Sequence, residues 1–344
     1  MQSRTPRLFA GLLLTTAAVL ASCTSASDES GPGASTANGY PVKINNCGRE
    51  VTVDKPPQQA VSLNQASTEI LLSLGLADRM VGTATWTDPV KPNLEDENRK
   101  VERLADNAPS LERVLEKEPD IVTASLNNTL GDGGVTTPQR LEKLGVPSYV
   151  SPSECSKRDA KSVDGARKSR LEIDTIYQEI NELAKIFGTP AKGTELVESL
   201  RARMRKAADT APKNDTSVLF WFANSESPYM AGCCGAPGII SRTLGLKNVF
   251  EDSTEEWPQI SWETVAARNP DVMIIGDLTR RSETAETATE KIKFLKSNPV
   301  TREMEAVKND RFIALAGGAM NPSIRTADGT ELIAARLQKL DPTR

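Results

Sequence analysis

Short apolar, β-branched runs alternate with helical spacing along most of the chain. In the first half the runs Ala60–Leu63, Met80–Thr85, Asp120–Ala124 and Ser148–Val150 predict strands. Between them Ser67–Leu74 places Ile70, Leu71 and Leu74 on one helical face, and Leu111–Lys117 and Pro138–Leu144 follow the same spacing, the last stopped by Gly145. The second half repeats the scheme. Its strands are Val218–Phe222, Asn248–Phe250, Val272–Ile275 and Phe312–Leu315, and its helices Ile239–Leu244, Glu263–Arg268, Lys291–Val307 and Thr330–Leu340. Strand and helix in alternation imply α/β architecture with mainly parallel sheets under packed helices. Residues 171–209 form one long helical pattern interrupted only at Gly188-Thr189-Pro190, a stiff connector between two halves.

The halves share a motif. Residues 110–122 read SLERVLEKEPDIV and residues 261–273 read SWETVAARNPDVM, with Ser, Glu, Val and Pro-Asp at equal spacing. Each predicts a short helix capped by Ser110 or Ser261, ended by Pro, and fed by Asp into a buried strand. Glu112 and Glu263 sit in the first helical turn, where the helix dipole favours an acid. Composition leaves two interpretations open: helix-start acids and nothing more, or a matched pair of docking points.

The N-terminus bears on compartment. Arg4 and Arg7 precede an apolar run from Leu8 to Leu20 that is short for a bilayer span, as in a secretory signal. Leu20-Ala21-Ser22-Cys23 resembles the bacterial lipobox, so residues 1–22 are expected to be a lipoprotein signal and Cys23 the lipidated first residue of the mature chain. Residues 23–40, rich in Ser, Gly, Ala and Thr, have nothing to bury and read as a flexible tether. From Tyr40 to Arg344 no second apolar stretch is long enough to cross a bilayer. The expected divisions are then an N-terminal lobe at 41–165, a connecting helix at 166–213 and a C-terminal lobe at 214–344. Net charge is −4, with acid and base interspersed, which gives no footprint for nucleic acid. The chain contains no histidine, which removes the commonest general base and metal ligand; no catalytic residue, cofactor or metal site is expected.

Several stretches, in order, resemble the substrate-binding proteins of ABC importers for iron–siderophore complexes, haem and vitamin B12. They include PQQAVSLNQASTEILLSLGLADRMVGTATW (57–86), LERVLEKEPDIV (111–122), LEKLGVPSYV (141–150), LGLKNVFED (244–252), WPQISWETVAARNPDVMIIG (257–276) and NPVTREMEAVKNDRFIAL (298–315). The resemblance implies two Rossmann-like lobes joined by one long helix, the class III periplasmic-binding-protein fold. It implies permease docking through Glu112 and Glu263, whose exposed ion pairs would give register more than affinity. It also places Trp86, Phe222 and Trp257 where the B12-binding member sets aromatic residues against its ligand; the alternative is that each fills its own lobe's core.

Ligands of such sheets meet the loops beyond the carboxyl ends of the strands, here Asn64–Ala66, Trp86–Asp88, Ser125–Thr129, Asn224–Gly235, Asp277–Arg281 and Gly317–Arg325. Arg280, Arg281 and Arg325 would neutralise an anionic ferric complex, or stand as solvated loop arginines. Tyr229 is the remaining haem-ligand candidate in a chain without histidine.

Cys47 and Cys155 are expected to pair, and the adjacent Cys233 and Cys234 admit a vicinal disulfide, a soft-metal site or a redox pair, with the first favoured as a rigid part of the ligand wall. Together these features predict a monomeric lipoprotein, anchored on the extracytoplasmic face of the cell membrane, that binds a ferric siderophore for an ABC permease and its ATPase subunits. A corrinoid binder is the alternative, and a secreted hydrolase using Asp277 and Glu226 a more distant one.

Overall fold

The computed structural model describes residues 39–158, 165–212, 214–279 and 287–340. Its first element went unrecognised in the hydrophobic pattern: β1 (Val42–Asn46) and β2 (Arg49–Val53) form an antiparallel hairpin with Val42 opposite Val53 and Ile44 opposite Val51. All four of these side chains are buried on one face, the period-2 signature of a half-buried strand. Cys47 and Gly48 make the turn at positive φ, and Cys47 is disulfide-bonded to Cys155 across a Cα separation of 4.8 Å.

The N-terminal lobe then runs β3 (Ala60–Ser62), α1 (Gln65–Ser73), β4 (Met80–Ala84), α2 (Glu95–Asn98), β5 (Arg103–Ala105), α3 (Leu111–Leu115), β6 (Ile121–Ala124), α4 (Pro138–Lys143) and β7 (Ser148–Val150). Its sheet is parallel throughout, in the order β5-β4-β3-β6-β7. The chain moves outward from β3 to β5, then returns to the other side of β3. That reversal opens a crevice at the carboxyl ends of β3 and β6. A two-residue pair, β8 (Lys157–Arg158) and β9 (Ala166–Arg167), follows the Cys155 loop.

The connection is helical, as expected, but the single pattern over 171–209 is two helices, α5 (Ile173–Ile186) and α6 (Pro190–Thr210). Gly188 turns between them at φ 69°, and Pro190 cannot continue α5. A Cβ at Gly193 would come within 2.5 Å of the Ala184 Cβ, so glycine there allows the two helices to lie close. The long connecting helix is α6 alone, spanning about 30 Å.

The C-terminal lobe comprises β10 (Ser217–Ala223), β11 (Tyr229–Met230), α7 (Ala236–Leu244), β12 (Lys247–Asn248), α8 (Trp262–Arg268), β13 (Val272–Asp277), α9 (Ala288–Ser297), α10 (Glu305–Lys308), β14 (Phe312–Ala316), α11 (Gly317–Met320) and α12 (Arg325–Leu340). Its sheet is ordered β11-β10-β13-β14, with β12 also on β10, and only β11 is antiparallel. Alternate residues of the strands fill two cores. Phe220, Ile274 and Ile313 pack with Ile240 and Ile333. On the other face Leu219, Trp221 and Ile275 pack with Val265 and Leu295. Burial on both faces is why these strands read as unbroken apolar runs. The expected helix over Lys291–Val307 is divided, because the Asn298 side chain accepts the Val300 and Thr301 amides and Pro299 follows it.

Among the described residues no helix is long and apolar enough to cross a membrane, and no group of three or more His, Cys, Asp or Glu is placed to hold a metal ion.

Candidate ligand site between the lobes

A cavity of about 80 Å³ lies where the carboxyl ends of β3, β4 and β6 meet the segment joining β14 to α12. From the first lobe Asn64, Gln65, Thr85, Thr87 and Ser125 line it; from the second come Gly318, Asn321, Ser323 and Arg325. Amide and hydroxyl side chains are the commonest members of the lining, with Glu69 and Glu154 as its acids and Ala66, Leu126 and Pro322 as apolar members. Asn64 fixes the crevice, its Oδ1 accepting the Ser125 amide at 2.8 Å and its Nδ2 donating to Thr129 Oγ1 at 3.0 Å. Thr85 holds φ at 58°, a strained conformation for a β-branched residue, and its hydroxyl is buried without a partner.

Two charged clamps join the lobes beside the cavity. In the first, Arg325 at the start of α12 meets Glu69 of α1: Nε donates to Oε2 at 2.7 Å, Nη2 donates to Oε1, and Nη2 also donates to the Pro89 carbonyl at 2.6 Å. Gln65 Nε2 and the Lys91 amide complete the shell of Glu69, at 3.1 and 3.2 Å. Next to this pair, Asp88 Oδ2 accepts the Gly318 amide at 2.5 Å, and Lys91 pairs with Asp328. Burial pushes the Asp88 carboxyl above its ordinary pKa, against the Gly318 bond and the nearby Arg325 charge, and its Oδ1 is buried without a partner.

The second clamp is built on Arg167, which is 1% exposed. Its Nη2 donates to both oxygens of Glu256, at 2.7 and 2.9 Å, and its Nη1 donates to the Ser153 carbonyl at 2.5 Å. Lys157 bridges Glu154 and Glu256 at 2.8 and 2.9 Å. Burial opposes the Lys157 charge, but the two carboxylates outweigh it and hold its pKa above the ordinary lysine value. Backbone bonds reinforce the join, from the Arg167 amide to the Thr254 carbonyl at 2.9 Å and from the Glu256 amide to the Gly165 carbonyl at 3.0 Å.

The repeated helix starts are built alike. Ser110 accepts the Arg113 amide and Ser261 the Thr264 amide, so each caps its helix. Glu112 and Glu263 are exposed, and neither enters an ion pair among the described residues. The Glu112 carboxyl is held below its ordinary pKa, first by its own backbone N–H and then by the Ser110 hydroxyl. Each glutamate stands in the first turn of a crossover helix, α3 between β5 and β6 and α8 between β12 and β13.

Comparison with known proteins agrees with this arrangement. The family described as periplasmic binding protein matches residues 61–317. This chain belongs to that family. An ABC transporter substrate-binding lipoprotein of Bacillus subtilis, YvrC, is 25% identical, over 95% of this chain and 93% of that protein. A vitamin B12-binding protein of Pectobacterium atrosepticum is 27% identical, over 64% of this chain and 72% of that protein. Among solved structures, a periplasmic binding protein from Veillonella parvula aligns with a TM-score of 0.75 at 26% identity, covering 87% of this chain and 97% of that one.

Within this periplasmic binding protein the anticipated ligand residues are dispersed. Of those among the described residues Arg325 alone lines the cavity, and it is occupied by Glu69 instead of standing ready for an anion. Trp86 is 8% exposed, with the Arg103 guanidinium 4.6 Å from its ring, and Trp257 is 4% exposed and packs on Phe222 at 4.8 Å. Trp86, Phe222 and Trp257 are not among the residues lining the cavity; Phe222 lies 3.6 Å from where a Cβ would stand on Gly317. Tyr229 lines a separate groove on the second lobe, with Gln259 and Ile260.

Cys233 and Cys234 are bonded to each other and buried, and are not among the residues lining the cavity. They tie the second lobe to the connection: the Cys234 carbonyl accepts the Leu171 amide at 2.9 Å, and the Cys233 amide donates to the Ser253 carbonyl at 2.8 Å. Cys23, Arg280 and Arg281 lie outside the described residues.

Family members are ABC substrate-binding proteins, and the hydrolase alternative gains no support. Asp277 Oδ1 is occupied by the Ala288 amide at 2.8 Å. Apart from Arg325, the charged members of the two clamps went unrecognised in the sequence. Glu69 carried one signal, an acid directly before the apolar run Ile70-Leu71-Leu72.

Proposed function

We propose that this periplasmic binding protein captures a ferric siderophore between its lobes and presents it to an ABC permease, with acylated Cys23 as its membrane anchor and Glu112 and Glu263 as its docking points. The observation that carries the ligand class is the lining of the crevice. Amides and hydroxyls from both lobes suit a chelate whose outer surface is itself amide and oxygen, whereas a corrin ring favours flat aromatic faces. A cavity of about 80 Å³ is smaller than the roughly 300–1,000 Å³ of ordinary ligand sites, so capture requires the crevice to widen while the Arg325–Glu69 pair holds.

The Pectobacterium relative is named for vitamin B12 binding, which makes a corrinoid the second reading. Calorimetric titration of the purified protein with a ferric trihydroxamate and with cyanocobalamin separates the two. The proposal expects micromolar or tighter binding of the ferric chelate. Binding of cobalamin alone would replace it with the corrinoid reading.

A further inference from the structure

We propose that the cleft selects by charge, admitting metal chelates that are neutral or cationic and rejecting polyanionic ones. This rests on the cleft being the chelate site. Among the described residues Arg325 is the one cation lining the cavity, and it and the two cations that contact the lining residues Ser153 and Glu154 already hold carboxylates. Arg325 is engaged by both oxygens of Glu69, Lys157 by Glu154 and Glu256, and Arg167 by both oxygens of Glu256. Asp88 adds a further acid, with one oxygen buried and unpartnered. In either protonation state it contributes no positive charge.

Releasing Arg325 to an incoming anion would strand Glu69, which is fully buried, and a buried charge without its partner is strongly unfavourable. An anion entering without that exchange meets the carboxylates in a medium that screens poorly. A hydroxamate chelator, by contrast, matches the charge of ferric iron, and its complex asks only for neutral donors such as the orphan Thr85 hydroxyl. A catecholate chelator exceeds the charge of the iron, and haem carries ionised propionates. Both fall on the rejected side, while cyanocobalamin, being neutral, falls on the admitted side.

The test is a calorimetric panel on the full mature protein: a neutral ferric trihydroxamate, its amine-bearing cationic analogue, a ferric tris-catecholate, haem and cyanocobalamin. The neutral and cationic chelates are expected to bind at least about a hundredfold tighter than the catecholate and haem. Polyanionic binding within about tenfold of the best neutral chelate would overturn the inference, whichever arginine held the anion. Binding of cyanocobalamin alone would leave the charge rule standing and remove the siderophore reading; binding of nothing in the panel would remove both. Glu69→Gln, which frees the Arg325 charge while keeping the side-chain shape, should raise catecholate affinity relative to trihydroxamate by about tenfold. A folded variant without that gain would contradict the pairing as the source of the exclusion.

Discussion

Glu179, on the inner face of α5, is fully buried, and its Oε2 accepts the Ser151 hydroxyl at 2.5 Å. Burial pushes its pKa up to about 7, with Ser151 opposing and the neighbouring Glu182 and Glu154 adding to the rise. Glu182 in turn accepts the Tyr149 hydroxyl at 2.6 Å. A carboxyl whose pKa is raised by folding stabilises the protein fully below the unfolded value and loses that contribution as pH climbs through the folded one. The window here runs from the ordinary carboxylate range up to about 7, and the loss is about 3 kcal/mol. Asp88, also raised, acts in the same direction. Thermal unfolding should therefore show melting temperature falling between pH 5 and pH 8, and Glu179→Gln should flatten that fall and be the more stable protein at pH 8. An unchanged pH slope in the variant would refute the assignment.

At the scale of elements, α3 and α8 show how much local chemistry a short helix carries. Their Ser caps, first-turn acids and stops are all legible in SLERVLEKEPDIV and SWETVAARNPDVM, because each depends on neighbours within a few residues. The docking proposal belongs here too. Replacing both Glu112 and Glu263 by Ala should leave folding within about 0.5 kcal/mol and chelate affinity unchanged. Uptake by cells should nevertheless drop at least about tenfold, since rim charges govern orientation on a partner. Transport at the normal rate by the double variant would place docking elsewhere.

Other elements were less legible for equally local reasons. The β1–β2 hairpin is only five residues a side, and its alternation is interrupted by Asn45-Asn46-Cys47-Gly48, a stretch that reads as loop until the two strands are seen to pair. The break at Asn298 turns on one side chain accepting two amides, within a stretch whose apolar spacing runs on into α10.

For the molecule as a whole, the paired sheets and the helical connection follow from periodicity, and the carboxyl-end crevice follows from the order of the strands. The clamps do not. Arg325 and Glu69 are 256 positions apart and Arg167 and Glu256 are 89 apart, so no window of sequence contains both partners. Nor does a tryptophan's position on a ligand-facing loop reveal that Arg103 covers Trp86, or that Trp257 turns inward onto Phe222. Topology places the cleft, and long-range charge pairing decides what faces it.

That division makes the central claim, capture of a chelate between the lobes, open to one direct measurement: amide hydrogen exchange followed by mass spectrometry, with and without a ferric trihydroxamate. Slower exchange is predicted on both sides of the crevice at once, in residues 64–69, 85–91 and 125–127 of the first lobe and 317–325 of the second, with α3 and α8 unchanged. Protection confined to a single lobe, or centred on the Tyr229 groove, would contradict it.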